Sequence, residues 1–84
     1  MTNQEIFGNN IMYLRQKNAI TQQKLADEIG LTRKQLSDYE NGKVKRMSND
    51  VVRDISIYFG VSRSVIDTVS LSERGGDNGN GTNI

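Results

Sequence analysis

The 84-residue chain contains no cysteine and no histidine. Those absences exclude disulfides, zinc sites of the usual ligand set, and catalysis by a histidine acid, base or nucleophile activator. An enzyme would have little chemistry to draw on, and neither a cofactor nor a metal is expected. No run approaches the roughly 18 apolar residues of a membrane span. The opening MTNQEIFGNN has neither the basic nor the apolar region of a secretory leader. A soluble, cytoplasmic protein is the expectation. An excess of one charge is also missing: eleven basic and ten acidic residues leave a net charge of +1, modest for a nucleic-acid binder. The length is that of one domain near the lower size at which a chain folds alone, where about 60% of the unfolded surface is buried.

The charge that is present is unevenly spread. Between Arg15 and Arg46 stand eight basic residues against four acidic ones, so this stretch is positive and the remainder is net negative. Such polarisation suits a protein that turns one basic face toward a phosphate backbone, although scattered solvated charges on a small domain would read the same way.

Residues 21–42, TQQKLADEIGLTRKQLSDYENG, hold two short helix patterns. Thr21 is placed to cap the first, which opens at Gln22 and carries Leu25, Ala26 and Ile29 on one face. Gly30 stands where a helix leaves its axis through the left-handed conformation. Thr32 and Gln35 then form a T-x-x-Q capping box that starts the second helix at Arg33. Leu36 and Tyr39 turn inward with Leu31. Arg33, Lys34, Ser37, Asp38 and Asn41, at i, i+1, i+4, i+5 and i+8, make one polar stripe. A helix this short is held by packing its apolar face, which leaves the polar face for other work. Two helices joined by a short glycine-containing turn are a helix-turn-helix, whose second helix fits the major groove of B-DNA.

Gln22, the Leu25-Ala26 pair, Gly30, Leu31-Thr32, Leu36 and the ending Glu40-Asn41-Gly42-Lys43 resemble the lambda-repressor and Cro-like helix-turn-helix family. Phe59-Gly60-Val61-Ser62 is similar to that family's turn between its fourth and fifth helices. The resemblance spans residues 11–66. It implies an all-α, five-helix lambda-repressor-like domain, with the helix-turn-helix at helices 2 and 3, that binds duplex operator DNA as a homodimer. Two departures stand out: Met47 occupies a position where the family usually has proline, in a loop one residue longer, and Asn49 replaces a residue that is usually apolar.

Residues 3–17 read as the first helix, capped by Thr2 or Asn3, with Phe7, Ile11 and Leu14 buried and Met12 or Tyr13 beside them. Gly8 and Asn9-Asn10 weaken its early part, so fraying before Asn9 is expected. Arg15 and Lys17 complement the dipole at its end, and in the family this basic end lies near phosphate. Ile20 staples the approach to the second helix. After Gly42 the basic run KVKRM is either an ordinary solvated turn or, as the resemblance implies, a loop along the DNA backbone. Ser48 caps a fourth helix, with Asp50 in its first turn and Val52, Ile55, Ser56 and Phe59 inward, that ends at Gly60 and leaves Ile57 outside. Ser62 caps a fifth, from 63 to about 70, carrying Val65, Ile66 and Val69. The domain is expected to cover residues 1–71, with a flexible tail over 72–84, rich in glycine and asparagine.

The groove-facing candidates divide by chemistry. Arg33 and Lys34 are donors suited to guanine O6 and N7. Asp38 either accepts from cytosine N4 or pairs with Lys34 one turn away, and Ser37 reaches a base edge or a phosphate. Gln22 resembles the family glutamine that bonds phosphate and braces the recognition helix. Thr21, Asn41, Lys43, Lys45 and Arg46 are the remaining phosphate candidates. Tyr39 belongs to the core with its hydroxyl at the rim, and Glu40 is expected to satisfy loop N–H groups. Val69 and Leu71 extend an apolar pattern available for a two-fold contact between copies. The chain thus reads as a transcriptional repressor of the phage or mobile-element kind. The alternative is an antitoxin-like protein that binds a toxin partner and regulates its own synthesis through DNA.

Overall fold

The computed structural model describes residues 1–75, and all regular structure in them is helical. Six helices follow one another: α1 (Asn3–Lys17), α2 (Gln22–Ile29), α3 (Arg33–Glu40), α4 (Asn49–Phe59), α5 (Arg63–Ile66) and α6 (Leu71–Gly75). Their starts obey the expected local chemistry. The hydroxyls of Thr21, Thr32 and Ser48 accept from the backbone N–H groups of Lys24, Gln35 and Val51, and Gln35 completes the box by accepting from Thr32 N at 2.9 Å. Gly30, with φ 74°, turns the chain out of α2.

α1 packs against α3, α5 and α6, α2 against α3 and α4, and α4 against α5. The core between them is Phe7, Ile11, Leu14, Leu25, Ala26, Leu36, Tyr39, Val52, Ile55 and Ile66. Each comes from an apolar stripe read in the sequence, and burying such a stripe is what holds helices of eight residues. The Phe7 and Tyr39 rings meet edge to face with centroids 5.9 Å apart. The Tyr39 hydroxyl accepts from Ser48 N at 3.1 Å, joining α3 to the cap of α4. Ile57 stays outside, 72% exposed.

The start of α1 differs from expectation, because it is not frayed. Thr2 and Glu5 form a capping box: Glu5 N donates to the Thr2 hydroxyl at 3.1 Å and Thr2 N donates to the Glu5 carboxylate at 2.8 Å. The Thr2 backbone N–H, followed by its hydroxyl, holds the Glu5 carboxyl below the ordinary carboxylate value. Gly8 is buried, and a Cβ there would stand 2.7 Å from the Glu40 carbonyl oxygen and closer still to that of Tyr39. The glycine that costs helix propensity is therefore the point at which the end of α3 presses onto α1.

The C-terminal end differs too. The fifth helix is a single turn rather than a helix to residue 70, and a sixth begins at Leu71, so the helix count departs from five. The cause lies in α1. Asn10, 1% exposed, donates to the carbonyls of Ile66 and Val69 at 2.7 and 2.8 Å and accepts from Leu71 N at 2.9 Å. One amide side chain thus replaces the intrahelical bonds that would have continued α5. α6 crosses the expected start of the tail, while residues 76–84 lie outside the described residues.

Candidate nucleic-acid interface

The inward face of α3 is closed by Leu36, Tyr39 and Glu40, all buried. Its outer face carries the stripe read in the sequence, and the structure gives each member a local state. Arg33 is exposed and makes no ion pair among the described residues. Lys34 and Asp38 pair at 3.2 Å, with the lysine side chain 83% exposed. Of the two readings of Asp38, the intrahelical pair is formed here. Asn41 caps the helix, its amide donating to the Ser37 carbonyl at 2.8 Å and to the Ser37 hydroxyl at 3.3 Å.

The basic loop alternates in its exposure. Val44 and Met47 are partly buried against the core, whereas Lys43, Lys45 and Arg46 are exposed and form no ion pair among the described residues. The loop is anchored at its far end, where Ser48 N donates to the Tyr39 hydroxyl, and at its middle by the Gln4 amide, which donates to the Lys45 carbonyl at 2.7 Å. Three cations are thereby held outward by a backbone whose apolar members point in.

Behind the stripe lies a polar triad built on the buried Glu40. Arg15 Nε and Nη2 donate to the Glu40 carboxylate at 2.8 and 3.3 Å, and Gln22 Nε2 donates to it at 2.9 Å. The Glu40 side chain is 1% exposed and that of Arg15 15%. Arg15 also donates to the Ile20 carbonyl at 3.1 Å. Glu40 therefore does not serve loop N–H groups, as expected from the sequence; it ties the ends of α1 and α3 to the start of α2. Gln22 does brace α3, through this carboxylate. Thr21, beside it, is exposed, with its hydroxyl accepting from Lys24 N at 3.1 Å.

Two helices crossing at a glycine turn, the second packed by Leu36 and Tyr39 and fronted by a polar stripe, form a helix-turn-helix. The helix-turn-helix family model matches residues 11–66. The chain belongs to the helix-turn-helix family of the lambda-repressor and Cro-like type. Two solved structures of the clp gene regulator ClgR from Corynebacterium glutamicum share the fold, each with a TM-score of 0.71. One is 22% identical, over 90% of this chain and 76% of that one. The other is 18% identical, over 93% and 99%. No curated protein matches the chain. The family is one of DNA-binding transcription regulators, and among the described residues no helix is long and apolar enough to cross a membrane.

Sequence reasoning missed three side-chain roles, those of Gln4, Asn10 and Glu40. Two of them left a signal. Asn10 stands three residues after Phe7 and four before Leu14, inside the apolar stripe of α1; Glu40 stands four after Leu36, inside that of α3. A polar residue on a buried face calls for a buried partner.

Proposed function

We propose that the chain is a sequence-specific transcriptional repressor that binds operator DNA as a homodimer, with residues 33–41 in the major groove. One observation carries this reading: the inner face of α3 is wholly taken up by the core, while its polar stripe and the cations Arg33, Lys43, Lys45 and Arg46 remain outside without ion-pair partners among the described residues. Arg33 and Lys34 donate to guanine O6 and N7, and Ser37 reaches a base edge. The exposed Lys34–Asp38 pair is worth about 0–1 kcal/mol, so DNA can separate it at little cost and let Asp38 accept from cytosine N4. Thr21, Gln22, Asn41, Lys43, Lys45 and Arg46 set the register on the phosphates. Repression follows from occupancy, by occluding polymerase.

Two copies related by a two-fold axis would place their recognition helices about 34 Å apart, one turn of B-DNA. Val69 and Leu71 supply the apolar contact. Val69 is half-buried in the single chain; Leu71 already packs against the core, so the contact adds to an existing edge. The antitoxin-like reading draws on Ile57, exposed beside Val61 in a shallow groove between α4 and α5 that Arg53 and Arg63 flank.

Selection of bound sites from random duplexes tests the proposal. Palindromic sites with half-sites one turn apart are expected. Arg33→Ala should lose about 1–3 kcal/mol of discrimination at one base pair of each half-site, with folding unchanged. Uniformly weakened binding with full specificity would move Arg33 to the phosphates, and no enrichment at all would overturn the regulator reading.

A further inference from the structure

We infer that Gln4 is a positioning residue for the phosphate-binding loop, so that the first turn of α1, remote in sequence from the helix-turn-helix, sets how tightly the protein holds any duplex. The inference rests on the DNA-binding reading above. Gln4 Nε2 lies 2.7 Å from the Lys45 carbonyl oxygen, a bond across 41 residues of sequence. Gln4 is itself held in place, because the Thr2–Glu5 capping box fixes the turn that carries it. The loop meets that turn again at Gly42, where a Cβ would come within 3.2 Å of Glu5 Cγ and 3.5 Å of Glu5 Cα. One turn further along α1, Gly8 meets the carbonyl of Glu40. The end of α3, and the basic loop at Gly42 and Lys45, therefore lie against the first two turns of α1.

The bond works on the stretch that the core anchors do not hold. Val44 and Met47 pack inward, and between them Lys45 and Arg46 are exposed. The Lys45 carbonyl is fixed there by the Gln4 amide. Fixing that peptide removes backbone freedom that would otherwise be lost when the two cations engage phosphate. Phosphate contacts carry no sequence information, so the effect falls on all duplexes alike.

Gln4→Met keeps the length of the side chain and removes the donor without adding charge. It should weaken operator and random duplexes equally, by about fivefold, the equivalent of one hydrogen bond's net contribution. Far-UV circular dichroism should show the same helix content, with the melting temperature lowered by no more than about 4–8 °C. A merely structural role would not couple Gln4 to the loop cations, so the deciding measurement is a double-mutant cycle. In a Lys43→Ala, Lys45→Ala, Arg46→Ala background, Gln4→Met should change affinity less than twofold. An undiminished fivefold effect in that background would overturn the inference, since Gln4 would then act on DNA directly or by another route. Wild-type affinity in Gln4→Met alone would overturn it as well. Wild-type protein that binds no duplex would instead remove the DNA-binding reading, and this inference with it.

Discussion

Breaking the buried pair between α1 and α3 from its two sides should give unequal losses. The Glu40 side chain is 1% exposed and that of Arg15 15%. Arg15→Met keeps the aliphatic stem but removes donors at 2.8 and 3.3 Å, leaving a buried carboxylate with the Gln22 amide at 2.9 Å. An uncompensated buried charge of this kind costs about 3–5 kcal/mol. Glu40→Gln preserves shape and an acceptor, and Arg15, at the end of α1, can turn its guanidinium outward; the loss is about 1–2 kcal/mol, the difference between a charged and a neutral bond. A domain of this length has about 4–12 kcal/mol of stability in total, so the first variant removes a large share of it. At about 4–8 °C per kcal/mol, Arg15→Met should lower the melting midpoint by at least about 12 °C, well beyond the Glu40→Gln loss. Arg15→Met combined with Glu40→Leu, which replaces both charges with apolar groups, should recover most of the stability. Urea unfolding followed by circular dichroism measures all three. Equal losses in the two single variants, or a double variant no more stable than Arg15→Met, would refute the reasoning from burial.

Three further substitutions test how the chain packs on α1 and turns after it. Gly8→Ala gains about 1 kcal/mol of helix propensity, yet its Cβ meets the Tyr39 and Glu40 carbonyls; a net loss of about 1–3 kcal/mol is expected, and a melting temperature at or above wild type would contradict it. Ala19 turns the chain after α1 with φ 55°, so Ala19→Gly should raise stability by about 0.5–1 kcal/mol in urea titration. Asn10→Ala leaves two carbonyls and the Leu71 N–H without their partner; a loss of about 2–4 kcal/mol is expected, with protection of the Leu71 amide abolished in hydrogen exchange.

The sequence by itself determined whatever depends on neighbours within one or two turns. Thr21, Thr32 and Ser48 start helices and Gly30 and Gly60 end them, because a cap is a contact between residues at most five apart. The stripes Phe7-Ile11-Leu14, Leu25-Ala26 and Leu36-Tyr39 became the core because helical period alone places them on one face. The same period set out Arg33, Lys34, Ser37, Asp38 and Asn41 as an outer stripe, which made the helix-turn-helix legible. Tertiary structure alone decided how these pieces hold one another. The close approach of α3 to Gly8 turned a weak helix start into a platform, and the pairing of Arg15 with Glu40 spans 25 residues. The bond from Gln4 to the Lys45 carbonyl spans 41, and those that stop α5 at Ile66 come from Asn10, 56 to 61 residues away. Such contacts depend on where helices cross and at what depth. That geometry is fixed by the fit of whole faces, and no local pattern of residue types encodes it.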